Sequence, residues 1–321
     1  MILFKRTRTF FFIAISAILL ISCTNKAEEK NYLLGIVNPN PKLEKTIKSF
    51  KAAMASNGYE EGKNISYYSI FKQHDIDLKL PELIKQNPDL ILTFTTPGTK
   101  KTLDAVRGTN IPVLFGILYD PLEGGIIDDL VNKKENITGV KVAGSVQKAL
   151  EWLPGLKPGI KNVFVPIKFD TQAARLSLAE LSSGAEKLGI NLQIAEVEDK
   201  AQLTSALSAI PANTEAMFIL NSILIVSNID EIVSKATMLN IPIGSNTGQI
   251  DRGVTITYGQ DSEYTGKQAA RLAHKILMGA PASGIPIETA HFKLGINLKK
   301  ALEIGLTVPD NILQMADIVV R

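Results

Sequence analysis

The stretch Leu90-Ile91-Leu92-Thr93-Phe94-Thr95-Thr96-Pro97-Gly98 passes directly from an apolar run into a helix start. Residues 90–94 do not alternate polar with apolar, so both faces of the strand they predict must be covered, as in a parallel sheet. Pro97 then stands where a helix tolerates a missing N–H, and the two threonines supply capping oxygens. A strand feeding a helix is half of a βα unit, and the neighbouring sequence repeats it. Upstream, residues 33–37 read as a strand. Residues 42–57 read as a helix, with Leu43, Ile47, Phe50 and Met54 on one face and Asn57-Gly58 as its stop. Residues 65–70 form the next predicted strand and 78–86 the next helix. Downstream, 111–115 is a fourth strand. Strands alternating with helices predict an α/β fold with parallel sheets.

The alternation then starts again. Residues 163–167 predict a strand, 172–188 a helix ended by Gly189, and 192–197 a strand. Helices at 202–210 and 229–239 alternate with strands at 216–220 and 241–243. Asn110-Ile111-Pro112-Val113 recurs as Asn240-Ile241-Pro242-Ile243. Two similar lobes follow from this order, which suits a chain too long for one ordinary core. Gly139 and Gly144 bracket a short apolar run that marks the joint. A second crossing is expected near 255–259, after which a 263–278 helix returns to the first lobe. The expected division is residues 31–143 with 258–282 for lobe one, and 144–257 with 283–321 for lobe two.

The amino-terminal end carries a different signal. Lys5, Arg6 and Arg8 precede an uncharged apolar run, Phe10 to Ile21, and then Leu20-Ile21-Ser22-Cys23. That run is about 12 residues, whereas a spanning helix needs roughly 20. A basic segment, a short apolar segment and a small residue before Cys23 make a secretory leader of the lipoprotein kind. Residues 1–22 are therefore expected to be a signal peptide, Cys23 the lipidated residue and 23–30 a linker. The alternative is an uncleaved anchor. Cys23 is the chain's single cysteine. The expected location is extracytoplasmic, held by lipid to a bacterial membrane. Lys+Arg number 35 and Asp+Glu 32, and three of the cations lie in the leader, so the chain beyond Cys23 is close to neutral. Without a basic stripe, nucleic acid is not an expected partner.

Several segments carry a resemblance across residues 32–320. They are Gly58-Tyr59-Glu60-Glu61-Gly62-Lys63-Asn64, Asn87-Pro88-Asp89-Leu90-Ile91, Thr95-Thr96-Pro97, Tyr119-Asp120-Pro121 and Asn136-Ile137-Thr138-Gly139-Val140. Gly266-Lys267-Gln268-Ala269-Ala270, Ile296-Asn297-Leu298-Lys299-Lys300-Ala301 and Gly305-Leu306-Thr307-Val308-Pro309 complete the series. In order and spacing they resemble the ABC transporter substrate-binding proteins typified by tryptophan and aromatic amino-acid binding lipoproteins. The resemblance implies a type I periplasmic-binding-protein fold: two Rossmann-like lobes, a three-strand hinge and a ligand in the cleft. It also implies a monomer without cofactor that delivers its ligand to an ABC permease. A sensor that presents the same ligand to a membrane receptor is the alternative.

In open parallel sheets ligands collect beyond the carboxyl ends of the strands. That rule selects Asn38, Thr95, Thr96, Gly98, Tyr119 and Asp120 in lobe one. In lobe two it selects Phe169, Asp170, Asn221, Ser222, Asn246 and Thr247, with Lys168 and Thr171 alongside. The 95–98 turn suits a carboxylate, because free N–H groups and the dipole at a helix start favour anions; alternatively Thr96 merely caps the helix. Tyr119 offers an aromatic wall and Asp120 a partner for an ammonium, or Asp120 simply starts a turn. Where the resembling family tends to read Thr-Asp-Asn-Thr, this chain has Asn221-Ser222-Ile223-Leu224. Where it tends to read Tyr-Asn-Pro, this chain has Ile167-Lys168-Phe169-Asp170. An amino acid or related carboxylate is the expected ligand. A nucleoside stacked on Phe94, Phe115, Tyr119 or Phe169 is the competing one. His74, His274 and His291 lack metal-ligand spacing, Trp152 reads as core, and no nucleophile elbow or P-loop is present, so no enzyme is expected.

Overall fold

The computed structural model describes residues 30–321. The expected leader and Cys23 lie outside the described residues. No helix among the described residues is long and apolar enough to cross a membrane.

The first half of the chain alternates as the apolar runs predict. It comprises β1 (Tyr32–Val37), α1 (Glu44–Ser56), β2 (Ile65–Ile70), α2 (Ile76–Lys85), β3 (Leu90–Phe94), α3 (Thr96–Val106), β4 (Val113–Leu118) and β5 (Ile137–Lys141). The second half begins with α4 (Ser145–Leu156), β6 (Asn162–Ile167), α5 (Gln172–Leu188) and β7 (Asn191–Glu196). It continues with α6 (Lys200–Ser208), β8 (Ala216–Ile219), α7 (Ile223–Ser227), α8 (Ile229–Met238) and β9 (Ile243–Ser245). β10 (Ile256–Gln260), α9 (Ser262–Leu277), β11 (Glu288–Thr289) and β12 (Phe292–Asn297) then pass between the lobes. α10 (Leu298–Glu303), α11 (Asp310–Met315) and β13 (Ile318–Val320) close the chain.

Two sheets result. The first is ordered β11-β5-β4-β3-β1-β2 and every pair in it is parallel. The second is ordered β13-β12-β10-β9-β8-β6-β7, with β12 antiparallel to β10. Successive side chains on a strand point to opposite faces, so each sheet has two apolar faces to cover. Leu34, Ile36, Leu90 and Leu92 pack beneath α1 and α9, whereas Val37, Ile91, Val113 and Phe115 pack on the opposite face with Leu80 and Leu83 of α2. In lobe two, Val163, Val165 and Phe218 face α4 and α5, while Phe164, Met217 and Ile219 face the α6 and α8 side.

The repeated joints are equivalent in three dimensions. Pro112 before β4 accepts a bond from Ile91 N–H at 3.0 Å, and Pro242 before β9 accepts one from Met217 N–H at 2.9 Å. Each proline supplies the carbonyl that continues a parallel ladder and needs no N–H there. Asp89 and Glu215 match as well. Asp89 N–H donates to Leu33 O while its carboxylate accepts Leu33 N–H at 2.9 Å. Glu215 N–H donates to Asn162 O while its carboxylate accepts Lys161 and Asn162 N–H at 2.6 and 2.9 Å. These bonds hold the Glu215 carboxyl below its ordinary pKa, the Lys161 and Asn162 N–H groups being the chief cause.

Three strands cross between the lobes, and two of the crossings fall later than the sequence suggests. The first lies at Val142–Gly144, between β5 and α4. β10 remains in the second sheet through Gln260, so the second crossing is at Asp261. β11 pairs with β5 in the first sheet, so the third is at Ala290–His291 rather than near 282. The reason is apolar: Ala282, Ile285 and Ala290 are buried in the lobe-one core, and Thr138 Oγ1 donates to Ile285 O at 2.9 Å. The crossings are tied together, with Ala290 N–H donating to Lys141 O at 2.7 Å and Asp261 N–H to His291 O at 2.8 Å.

Helix α9 sits tightly on α1 because Gly266 has no side chain. A Cβ there would fall 2.5 Å from Thr46 O and 2.8 Å from Phe50 N. Alanine gains about 1 kcal/mol of helix propensity over glycine, but overpacking costs about 1–3 kcal/mol. The obstructing atoms are backbone and cannot step aside. Gly266→Ala is therefore expected to lower stability despite its better propensity, and Gly266→Val to lower it further, as read by thermal unfolding.

Candidate functional site

The sequence-selected residues lie just beyond the carboxyl ends of strands in the two sheets. In lobe one, β1 exits at Asn38, which is buried and whose Oδ1 accepts Asn40 N–H at 3.2 Å. β3 exits into Thr95, which has φ +66° and ψ 147°. A β-branched residue with positive φ is an outlier, and such backbone costs about 1–3 kcal/mol. The neighbours hold it there. Thr95 Oγ1 accepts Gly98 N–H at 3.3 Å, and Thr95 O accepts both Thr99 N–H at 3.0 Å and Thr99 Oγ1 at 2.9 Å. Thr99 also bonds the buried Thr93 hydroxyl at 2.9 Å. Thr95 is therefore the cap of α3, not Thr96. Gly98 N–H is taken and Pro97 has none, so the helix pole offers the Thr96 N–H and hydroxyl to a guest. A Cβ at Gly98 would lie 3.3 Å from Thr95 Oγ1, so the capping hydroxyl would have to give by a few tenths of an ångström.

Tyr119 and Asp120 are engaged elsewhere. Asp120 Oδ1 accepts Leu122 and Glu123 N–H at 2.8 and 3.2 Å, so its carboxylate folds the 120–125 turn. Gly124 brings that turn against Thr96: a Cβ at Gly124 would lie 3.5 Å from Thr96 Cγ2. Tyr119 is only 9% exposed and packs within the lobe-two core, so it forms no wall of the crevice. Its hydroxyl donates to Glu180 Oε2 at 2.5 Å. Burial first, and then the Glu180 carboxylate, raise the pKa of that hydroxyl, which stays protonated and donating.

Glu180 was not signalled by the sequence. Beyond Tyr119, its carboxylate accepts N–H groups from Gly144 at 3.1 Å, Val146 at 2.8 Å and Gln147 at 3.0 Å. Helix α4 has no capping side chain of its own at Gly144. A carboxylate from α5 thus satisfies the orphan donors that a helix start leaves. No local pattern predicts this, because the partners are more than thirty residues apart.

Lobe two supplies acceptors. Asp170 Oδ2 accepts Ser222 Oγ and Leu224 N–H, both at 3.2 Å, and Ser222 is fully buried. Asp170 Oδ1 and Asn246 Oδ1 are buried without any protein partner. They stand beyond the carboxyl ends of β6 and β9. Thr247 bonds Ser245, its N–H donating to Ser245 Oγ at 3.0 Å and the two hydroxyls lying 2.8 Å apart. Asn221 is exposed. Lys168 turns away from the crevice, donating to Glu198 O with the Glu198 carboxylate 3.5 Å off. Phe169 is half-buried beneath Arg175, whose guanidinium carbon is 5.6 Å from the ring centroid. Phe94 and Phe115 are wholly buried. Of the four aromatics expected to be available for stacking a base, Phe169 alone is left to do so. Gln172, also missed, joins the lobes across the crevice by donating from Nε2 to Glu123 O at 3.0 Å.

Residues 35–320 match the family described as ABC transporter substrate binding protein. The chain belongs to that family. It is 25% identical over 296 residues to a protein described as a tyrosine-binding protein from Clostridioides difficile strain R20291, covering 90% of this chain and 85% of that one. Among solved structures, an ABC domain in complex with L-Trp from Streptococcus pneumonia aligns with a TM-score of 0.78 at 21% identity, over 91% of this chain and 100% of that one. The ligand-free, open structure of a substrate-binding protein with adhesive properties from Clostridium difficile aligns with a TM-score of 0.76 at 22% identity, over 91% and 99%. These likenesses establish the two-lobed type I periplasmic-binding fold. Within that fold, lobe two of this substrate-binding protein carries a buried Ser222, which a carboxylate reaches from Asp170 on the neighbouring loop.

Because charge-assisted bonds contribute about 1.5–3 kcal/mol each, Glu180→Gln is expected to lower the unfolding free energy by about 2–3 kcal/mol. Thr171→Ala, which removes only the cap on Ala174 N–H, should lose about 1 kcal/mol. Chemical denaturation of both variants gives the comparison.

Proposed function

We propose that this substrate-binding protein captures a small zwitterionic solute of the amino-acid kind in the crevice and hands it to an ABC permease. Cys23 carries the lipid that holds it outside the cytoplasm at a bacterial membrane. The carrying observation is the pair of buried, unpartnered oxygens, Asp170 Oδ1 and Asn246 Oδ1. A buried polar atom left unbonded costs about 1–3 kcal/mol, and a ligand ammonium would supply donors to both. The α3 pole in lobe one suits the opposite charge, with the Thr96 N–H and hydroxyl for a carboxylate. A solute bearing both groups satisfies one lobe with each end, and hinge closure then buries it. The permease, the importing direction and the preference for an amino acid rest on the family and on the relatives' named ligands.

The aromatic placement disfavours a stacked nucleoside, since Tyr119 is bonded to Glu180 and two phenylalanines lie in the core. Thermal shift with amino acids, nucleosides and small carboxylates separates these classes. A ligand at one hundred times its Kd stabilises by about 2.7 kcal/mol, and an amino acid is expected to do so. Asp170→Asn is expected to weaken that binding at least about tenfold, equal to ~1.4 kcal/mol, as is Thr95→Ala combined with Thr96→Ala. No stabilisation by any amino acid, or unchanged calorimetric affinity in both variants, would overturn the assignment.

A further inference from the structure

Helix α5 makes two side-chain hydrogen bonds to residues of lobe one, and they differ in kind. Near its middle, Glu180 accepts the Tyr119 hydroxyl beside the first crossing. At its first residue, Gln172 Nε2 donates to Glu123 O. Eight residues of helix separate the two contacts by about 12 Å. The receiving segment is stiff. Asp120 Oδ1 takes two of its N–H groups, Gly124 N–H donates to Asp120 O at 2.9 Å, and Ile126 N–H donates to Pro121 O at 2.9 Å. Gln172 follows directly on Phe169, Asp170 and the cap Thr171, so its bond spans the crevice mouth and uses no group of the solute.

We propose that α5 is a lever pinned near the hinge by Tyr119–Glu180 and latched at the mouth by Gln172–Glu123. Because the latch uses no group of the solute, it favours the closed arrangement with or without solute, and solute entry requires it to open. The proposal deepens the reading of the crevice as the solute site, but its test contains no solute, so the two can fail separately.

Gln172 is exposed, so changing it leaves the core intact. Gln172→Glu keeps the shape and loses the donor; Gln172→Ala loses both. In the full-length chain carrying Cys23→Ser, dyes are placed at Lys100→Cys on lobe one and Lys200→Cys on lobe two. Single-molecule energy transfer is then read without ligand, alongside unfolding midpoints. One surface hydrogen bond is expected to move the closed-to-open ratio about two- to tenfold. Both Gln172 variants should shift toward the longer distance with unchanged midpoints. Superimposable distance distributions in the unsubstituted chain and both variants would overturn the latch. So would a ligand-free chain with Gln172 intact that shows only the long distance.

Discussion

The carboxylate of Glu180 is the constraint on which the joint between the lobes depends. It accepts the Tyr119 hydroxyl from lobe one and three backbone N–H groups from the start of α4 in lobe two. Those N–H groups begin where the chain leaves the first crossing. Val142 and Ala143 N–H donate to Leu118 and Tyr119 carbonyls there, so the strand end, the crossing and the helix start form one bonded unit. Remove the carboxylate and α4 loses its cap, Tyr119 loses its buried partner and the crossing loses its anchor. A carboxylate outside the helix thus does what a serine or aspartate at Gly144 would do elsewhere, and it also fixes where lobe two begins.

The crevice shows the converse economy. Thr95 is held in a conformation that β-branched residues avoid, and two oxygens of lobe two are buried without partners. Both features lower the stability of the free protein. In the proposed function each lobe would provide half of a charge-complementary site, and neither half satisfies the other directly. On the β6 loop, Asp170 is oriented by the Ser222 hydroxyl and the Leu224 N–H, both from the segment after β8.

Much of the architecture was legible in the chain. Strands at 65–70 and 90–94 and the helix at 172–188 have the ends that apolar runs, caps and Gly189 imply. Those signals are local. The repeated Asn-Ile-Pro joint was also readable, and the matching ladder bonds of Pro112 and Pro242 explain it. The failures share a cause. Tyr119 was expected at the crevice because it follows a strand end, yet its partner Glu180 lies 61 residues away. Asp120 turned inward to its own loop, as an aspartate before proline commonly does. The second and third crossings depend on which lobe buries Ile285 and Ala290, a matter of packing between distant segments. Gln172 and Glu180 occupy ordinary helix positions, and only the assembled lobes bring each to its partner.

The central claim is that the crevice holds one solute with a positive and a negative end, between Asp170 and Asn246 on one side and the α3 pole on the other. Mass spectrometry of the small molecules released on denaturing the purified chain tests it most directly, with an Asp170→Asn, Asn246→Ala double variant as the comparison. The account predicts a near-stoichiometric compound carrying both an amine and a carboxyl group, depleted in the double variant. A compound lacking either group, or equal occupancy in the two proteins, would contradict it.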